Sequence, residues 1–105
     1  MRVEIEKYIN GTYDVLQEYP WEEYPQYTTF KHKDNKKWFA VIMNVPFEKL
    51  KINRRDIVDV INLKNIPEML GGLRKEEGIL PAYHMNKEHW ITVLLNGTVS
   101  KKKNL

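Results

Sequence analysis

The pattern of apolar and polar positions predicts four strands and two helices. The strand-like runs are rich in β-branched and aromatic residues and occupy residues 27–33, 36–45, 56–64 and 89–97. Apolar side chains between Val3 and Tyr13 recur at helical spacing, and Gly11 is a suitable stop for a short amphipathic helix. Pro67 favours a second, brief helix through Leu70. This succession predicts the α+β class, with an antiparallel β-sheet and helix packed on one face.

The first two strands form a predicted β-hairpin. Asp34 and Asn35 lie between them, and both residue types tolerate the positive φ of a tight turn. Residues 36–45 are apolar at successive positions, so both faces of this strand require cover. We therefore expect this strand to lie at the centre of the sheet.

The last predicted strand carries a large aromatic side chain at its start. Alternation places Trp90, Thr92 and Leu94 on one face and the intervening residues on the other, and both faces are largely apolar. We therefore expect an internal strand with Trp90 in the core. The preceding turn is predicted to be capped by Asn86 and to leave His84 and Lys87 at the surface.

Length and composition are those of one ordered domain. The chain has 105 residues, of which 42% are hydrophobic and 30% are charged, so it has enough apolar surface for a core. We expect a single domain over residues 1–99 and a short basic tail over residues 100–105. No apolar run approaches the roughly 20 residues of a membrane span, and the N-terminus lacks a signal-peptide core. These features predict a cytoplasmic protein without a membrane partner.

Positive charge is concentrated in one part of the chain. Residues 1–25 hold two basic and six acidic side chains, whereas residues 26–55 hold eight basic and two acidic ones. Such a block can attract phosphates or an acidic partner, although a solvated lysine-rich surface would have the same composition. The candidate phosphate contacts are Lys31, Lys33, Lys36, Lys37, Arg54 and Arg55.

The familiar patterns of catalytic and metal-binding residues are missing. The chain has no cysteine, which excludes disulfides, thiolate catalysis and sulfur-based metal sites. His84 and His89 are five positions apart, which does not fit the histidine pairs of zinc hydrolases. Ser100 is the only serine and lies in no nucleophile motif. We expect no catalytic residue, no bound metal and no cofactor.

The most specific pattern in the chain is PAYHMNKEHWITVLLNG, residues 81–97. Together with residues 32–45 and 56–64, this segment closely resembles the MmcQ/YjbR-like family of small bacterial proteins. The resemblance covers about residues 13–99. The family signature falls on seven positions of this sequence: Tyr83, His84, Met85, Asn86, Lys87, His89 and Trp90.

The resemblance implies a frataxin-like (CyaY-like) α+β fold and a suggested role in DNA binding through a double-wing motif. It brings no established catalytic residue. Family members usually continue into a C-terminal helix, whereas only five residues follow Ser100 here, so we expect that helix to be truncated or replaced. Sheet surface left uncovered could then contact a second copy of the chain, and we expect a monomer or a weak homodimer.

Nucleic-acid binding is the first functional hypothesis. In it the six basic residues of the positive block contact phosphates, while His84, Asn86 and Lys87 lie nearer the bases or sugars. DNA would be the partner and no reaction would be catalysed. The charge block and the role suggested for the family motivate this hypothesis.

Two other classes of function remain open. A protein-interaction domain could use the aromatic segment of residues 19–25 together with the loop of residues 83–90, because tyrosine and tryptophan are favoured at the centres of interfaces. A frataxin-like iron binder could use Glu22 and Glu23, beside Asp14 and Glu18, because carboxylates are suitable ligands for hard cations. The spacing of these carboxylates matches no calcium loop, and fold analogy alone does not fix function.

Overall fold

The sheet and its helix follow the predicted class. The computed structural model describes residues 2–65, 68, 72–73 and 75–96. The elements bounded within these residues are α1 (Arg2–Thr12), β1 (Val15–Glu18), β2 (Thr28–His32), β3 (Trp38–Pro46), a 3₁₀ turn (Phe47–Leu50), β4 (Ile57–Lys64), β5 (Ile79–Pro81) and β6 (Trp90–Leu94). The strands form one antiparallel sheet in the order β1-β2-β3-β4-β6-β5. The α+β class and the antiparallel sheet are confirmed.

The four predicted strands correspond to β2, β3, β4 and β6. Two further strands were not predicted from the sequence, because each is short and lacks a run of β-branched residues. β1 has four residues and β5 has three. Pro81 ends β5, and a proline is tolerated there because β5 forms the edge of the sheet, where one side of the strand needs no backbone donor.

One face of the sheet is covered by α1. Ile5 and Ile9 of the helix are fully buried and pack with Phe30, Ile42 and Ile61 of the sheet. The helix extends one residue past the predicted stop at Gly11 and ends at Thr12. The prediction of helix on one face of the sheet is confirmed by this packing.

The opposite face of the sheet has a core of its own, and no α-helix of the described residues lies over it. Val41, Met43 and Val45 of β3 lie on this side, and so do Trp90 and Leu94 of β6. Loops and the 3₁₀ turn provide the cover. In the strand order, β3 lies at the centre of the sheet and β6 lies between two other strands, as predicted.

β6 sends alternate side chains to the two faces as predicted. Ile91 and Val93 pack on the α1 side, whereas Trp90 and Leu94 pack on the other. Trp90 is buried, with 7% of its surface exposed. The prediction that this tryptophan lies in the core is confirmed.

The predicted hairpin between β2 and β3 is present, but its turn differs from the prediction. Lys36, with φ of 59°, adopts the left-handed backbone that had been expected at Asp34 or Asn35. The loop spans residues 33–37 and is held by its own side chains: the Asn35 Oδ1 accepts a hydrogen bond of 2.9 Å from the backbone N–H of Lys37. The two strands are therefore joined by a five-residue loop and not by the tight two-residue turn that the sequence predicts.

Parts of the prediction fall outside the described residues. The brief helix predicted over residues 67–70 is described only at Glu68, which is helical; Gly72 and Leu73, beyond its predicted end, are helical too. The basic tail predicted over residues 100–105 and the region where the C-terminal helix was expected to be truncated or replaced also lie outside the described residues. In the described part of the chain, no helix has the length and apolar character needed to cross a membrane.

Candidate functional site

The loop between β5 and β6 folds back over the face of the sheet that α1 leaves free. Asn62 of β4 and Thr92 of β6 are opposite each other in the sheet, and both are fully buried. The Asn62 Nδ2 donates a hydrogen bond of 2.9 Å to the carbonyl oxygen of Tyr83. The backbone N–H of Tyr83 donates one of 2.8 Å to the Thr92 Oγ1, which in turn donates to the Asn62 Oδ1. These two side chains therefore fix both backbone polar groups of Tyr83.

The residues after Tyr83 form the predicted surface turn. His84 adopts a left-handed backbone with φ of 58°. The Asn86 Oδ1 accepts a hydrogen bond of 2.8 Å from the backbone N–H of Glu88, and the Asn86 carbonyl oxygen accepts one of 3.0 Å from the N–H of Trp90. Asn86 thus caps the turn as expected. His84 and Lys87 are exposed, as predicted.

An aromatic pocket of about 240 Å³ lies on one side of this loop. Its walls are Trp21, Tyr24, Tyr27, Trp38, Tyr83, His84 and Met85, and its floor is Val41 and Met43 of β3. Trp21 and Trp38 meet edge to face with ring centroids 5.6 Å apart. Tyr24 stacks on Tyr27 at 4.6 Å. Among the described lining residues, His84 is the one basic side chain, and none is a carboxylate.

The phenol of Tyr27 is a neutral polar group in the wall of this pocket. Burial raises its pKa above the ordinary value for tyrosine, and the neighbouring hydroxyls of Tyr83 and Tyr24 raise it further. Tyr27 therefore stays protonated well beyond neutral pH. A ligand in this pocket meets ring faces and neutral hydroxyl groups.

A basic groove of about 360 Å³ lies on the other side of the same loop. It is lined by Lys49, Leu50, Lys51, Leu80, Pro81, Ala82, Tyr83, His84 and Lys87. All three lysines are exposed, and none forms a salt bridge within the described residues. Among the described residues no carboxylate lines the groove, so the charge of this lining is positive.

Tyr83 and His84 line both the aromatic pocket and the basic groove. The two cavities therefore share one wall. Left-handed backbone occurs at two residues of the groove, His84 and Lys51. The left-handed backbone of Lys51 ends the 3₁₀ turn. At this point the backbone N–H of Lys51 donates a hydrogen bond of 3.1 Å to the carbonyl oxygen of Glu48. This turn brings Lys49 and Lys51 to the groove.

The structure does not bring the nine sequence-predicted contacts together. Lys33, Lys36 and Lys37 lie in the hairpin loop that precedes β3, whereas Arg54 and Arg55 follow the 3₁₀ turn after β3. None of these five residues lines either cavity. Of the predicted set, His84 and Lys87 line the basic groove, and Asn86 holds the turn between them.

Much of the positive block is paired with carboxylates of the same chain. Lys31 forms a salt bridge of 2.9 Å with Glu18, and Lys33 forms one of 3.2 Å with Asp14. Both pairs arise because β1 runs antiparallel beside β2, which also brings Asp14, just before β1, next to Lys33, just after β2. Arg54 is bound by the carboxylate of Asp56 at 2.7 Å and 3.2 Å.

The acidic residues considered for iron do not form a group. Within residues 2–65, 68, 72–73 and 75–96, no cluster of three or more histidine, aspartate or glutamate side chains is placed to hold a metal ion. Asp14 and Glu18 are instead the partners of Lys33 and Lys31. Glu22 and Glu23 are exposed beside Trp21.

Sequence reasoning did not select four of the residues that shape this site. Lys49 and Lys51 were counted in the positive block but were not chosen, because nothing local indicates that the chain after Pro46 turns back over the sheet. Tyr27 and Trp38 were assigned to strands. Their aromatic character was visible in the sequence, but their proximity to Trp21 depends on the tertiary fold.

Comparisons with known proteins agree with this fold. The YjbR family model matches residues 10–103. The uncharacterized protein YyaQ of Bacillus subtilis is 46% identical over 97 residues, which are 92% of this chain and 82% of that protein. A crystal structure of a protein from Pseudomonas syringae is 52% identical with a TM-score of 0.94, over 99% of this chain and 89% of that one. The crystal structure of protein DR2400 of Deinococcus radiodurans, a DUF419 domain, has the same fold. Its TM-score is 0.70 at 24% identity, over 95% of this chain and 67% of that one.

Proposed function

This chain belongs to the YjbR family, and from that premise we propose that it is a non-enzymatic nucleic-acid-binding protein whose phosphate contacts lie in the basic groove. The observation that carries the proposal is the lining of this groove, in which the described residues include Lys49, Lys51 and Lys87 and no carboxylate. Lysines that are not already paired can replace the counterions of a phosphate backbone. The groove therefore suits a polyanion.

The basic groove is a better candidate than the positive block as a whole. Lys31, Lys33 and Arg54 are paired with carboxylates, and a phosphate would have to compete with each of those partners. Lys36 and Lys37 form no salt bridge within the described part of the chain, so the hairpin loop is the rival site. The two sites can be compared directly, because two neighbouring lysines can be replaced in each, Lys49 and Lys51 in the groove and Lys36 and Lys37 in the hairpin loop.

Binding to DNA should fall steeply as the salt concentration rises. We expect the logarithm of the association constant to decline with the logarithm of the salt concentration with a slope of about −2 to −3, corresponding to three phosphate contacts. Fluorescence anisotropy of a labelled oligonucleotide across a salt series measures this slope. Affinity that is undetectable at low salt, or that does not change with salt, would contradict the proposal.

Two charge-matched double variants locate the contacts. Lys49→Gln with Lys51→Gln should lower the affinity and reduce the salt slope by about 2, one for each lysine. Lys36→Gln with Lys37→Gln should leave the affinity and the salt slope nearly unchanged. Each pair contains one lysine with left-handed backbone, Lys51 or Lys36, so the local cost of replacement is matched. The opposite result would assign binding to the hairpin loop.

Finer features of the family resemblance remain predictions of the same proposal. They are the frataxin-like arrangement, the double-wing mode of DNA binding, the cytoplasmic location and the monomeric or weakly dimeric state. A protein partner for the segment of residues 19–25 is the alternative to DNA, and Tyr24, half of whose surface is exposed, is the side chain that favours it.

A further inference from the structure

The aromatic pocket is an open cavity in a part of the fold where a core would ordinarily be closed. Trp21, Tyr27 and Trp38 are only half-buried, and 50% of the surface of Tyr24 is exposed. Large aromatic side chains bury much apolar area when they can, so a group of them around an open cavity marks a binding surface. No other side chain of the described residues fills the space between these rings.

The walls of the pocket select a flat, uncharged group. The ring planes of Trp21 and Trp38 meet edge to face at 69°, whereas those of Tyr24 and Tyr27 are stacked at 18°. A planar heteroaromatic ring can therefore be stacked on one face and contacted at its edge by another. The neutral phenol of Tyr27 offers a hydrogen-bond donor and acceptor for the polar edge of such a ring.

The neighbouring basic groove decides between the two classes of ligand that aromatic walls accept. Aromatic cages also bind quaternary ammonium ions. Here, however, the groove on the other side of the wall formed by Tyr83 and His84 is lined by three lysines. These lysines repel a cation and attract an anion. A ligand that joins a planar ring to a phosphate is complementary to both cavities.

We propose that the aromatic pocket holds one unstacked nucleobase of a single-stranded nucleic acid whose phosphates lie along the basic groove. This inference rests on the proposed function. Bases of a duplex are paired and stacked, and one of them could enter the pocket only after unpairing. The protein should therefore prefer single strands, because stacking on aromatic side chains is the usual source of affinity for them.

The test compares two exposed tyrosines of one segment. Tyr24 lines the pocket, whereas Tyr19, with 58% of its surface exposed, does not. The probes are a labelled oligothymidylate of about ten nucleotides and a duplex of the same length. Tyr24→Ala should weaken single-strand binding about 5- to 150-fold, the range for one stacked base. Tyr24→Phe should keep the affinity, and Tyr19→Ala should not change it.

The outcomes separate this inference from the function on which it rests. If the Lys49 and Lys51 variant weakens binding while Tyr24→Ala does not, phosphates occupy the groove and the base-binding role of the pocket is overturned. Equal affinity for duplex and single strand would also overturn it, and so would displacement of the strand by tetramethylammonium chloride at matched ionic strength, which would indicate a cation site. Absence of binding to either probe at low salt would remove the proposed function as well.

Discussion

Replacement of Trp90 by alanine should lower the free energy of unfolding by about 3 to 5 kcal/mol, the range observed when a large buried aromatic side chain is removed. Trp90 begins β6 and is one of the largest side chains in the core cluster on the pocket side of the sheet. Its loss leaves a cavity beneath the loop of residues 82–89. Urea denaturation followed by circular dichroism measures the change.

A neighbouring surface residue supplies the control for Trp90. Lys87 lies three residues earlier in the same turn and is exposed, so Lys87→Ala should leave stability nearly unchanged. Trp90→Phe, which retains a ring, should give an intermediate loss and remains measurable if the alanine variant does not fold. If Trp90→Ala is tolerated and Lys87→Ala unfolds the protein, the assignment of core and surface in this segment is wrong.

Removal of the Asn62 side chain should cost about 2 to 3 kcal/mol. Asn62→Ala leaves the carbonyl oxygen of Tyr83 and the hydroxyl of Thr92 without their partner in a buried site, and a buried polar group without a hydrogen bond costs about 1 to 3 kcal/mol. The same change should weaken oligonucleotide binding, because it frees Tyr83, which with His84 lines both cavities. Chemical denaturation and fluorescence anisotropy on one sample measure the two effects.

Asn44 is the matched control for Asn62. It lies on the neighbouring strand β3, is half-buried, and makes no side-chain hydrogen bond to a described residue. Asn44→Ala should therefore have a much smaller effect on stability and none on binding. Equal losses of unfolding free energy for Asn62→Ala and Asn44→Ala would show that the buried hydrogen bonds of Asn62 add no measurable stability. Thr92→Val, which conserves shape but removes the acceptor for the Tyr83 N–H, should resemble Asn62→Ala.

The strands could be predicted because their patterns are local. Alternation along β6 assigned Trp90 to the core, and the apolar run of β3 assigned that strand to the centre of the sheet. Asn86 was identified as a cap because a capping asparagine acts on the next turn of the chain. β1 and β5 were not predicted, since strands of four and three residues are defined by their neighbours in the sheet.

The charge pattern shows where sequence reasoning reaches its limit. Lys31 and Lys33 belong to a positive block along the chain, yet antiparallel pairing of β1 with β2 places Glu18 and Asp14 beside them. A block in the sequence is therefore not a patch in space. The basic groove shows the reverse case. Lys49 and Lys87 are far apart in the sequence, but they line one groove because the 3₁₀ turn and the loop between β5 and β6 lie over the same face of the sheet.

An NMR titration of nitrogen-15-labelled protein with a single-stranded oligonucleotide of about ten nucleotides shows directly which face of the sheet binds. We expect the amide shifts to concentrate at residues 21–27, 49–51 and 83–87, which surround the aromatic pocket and the basic groove. The hairpin loop of residues 33–37 and helix α1 should be nearly unaffected. Shifts concentrated at the hairpin loop, or no shifts at low salt, would contradict a nucleic-acid site on this face.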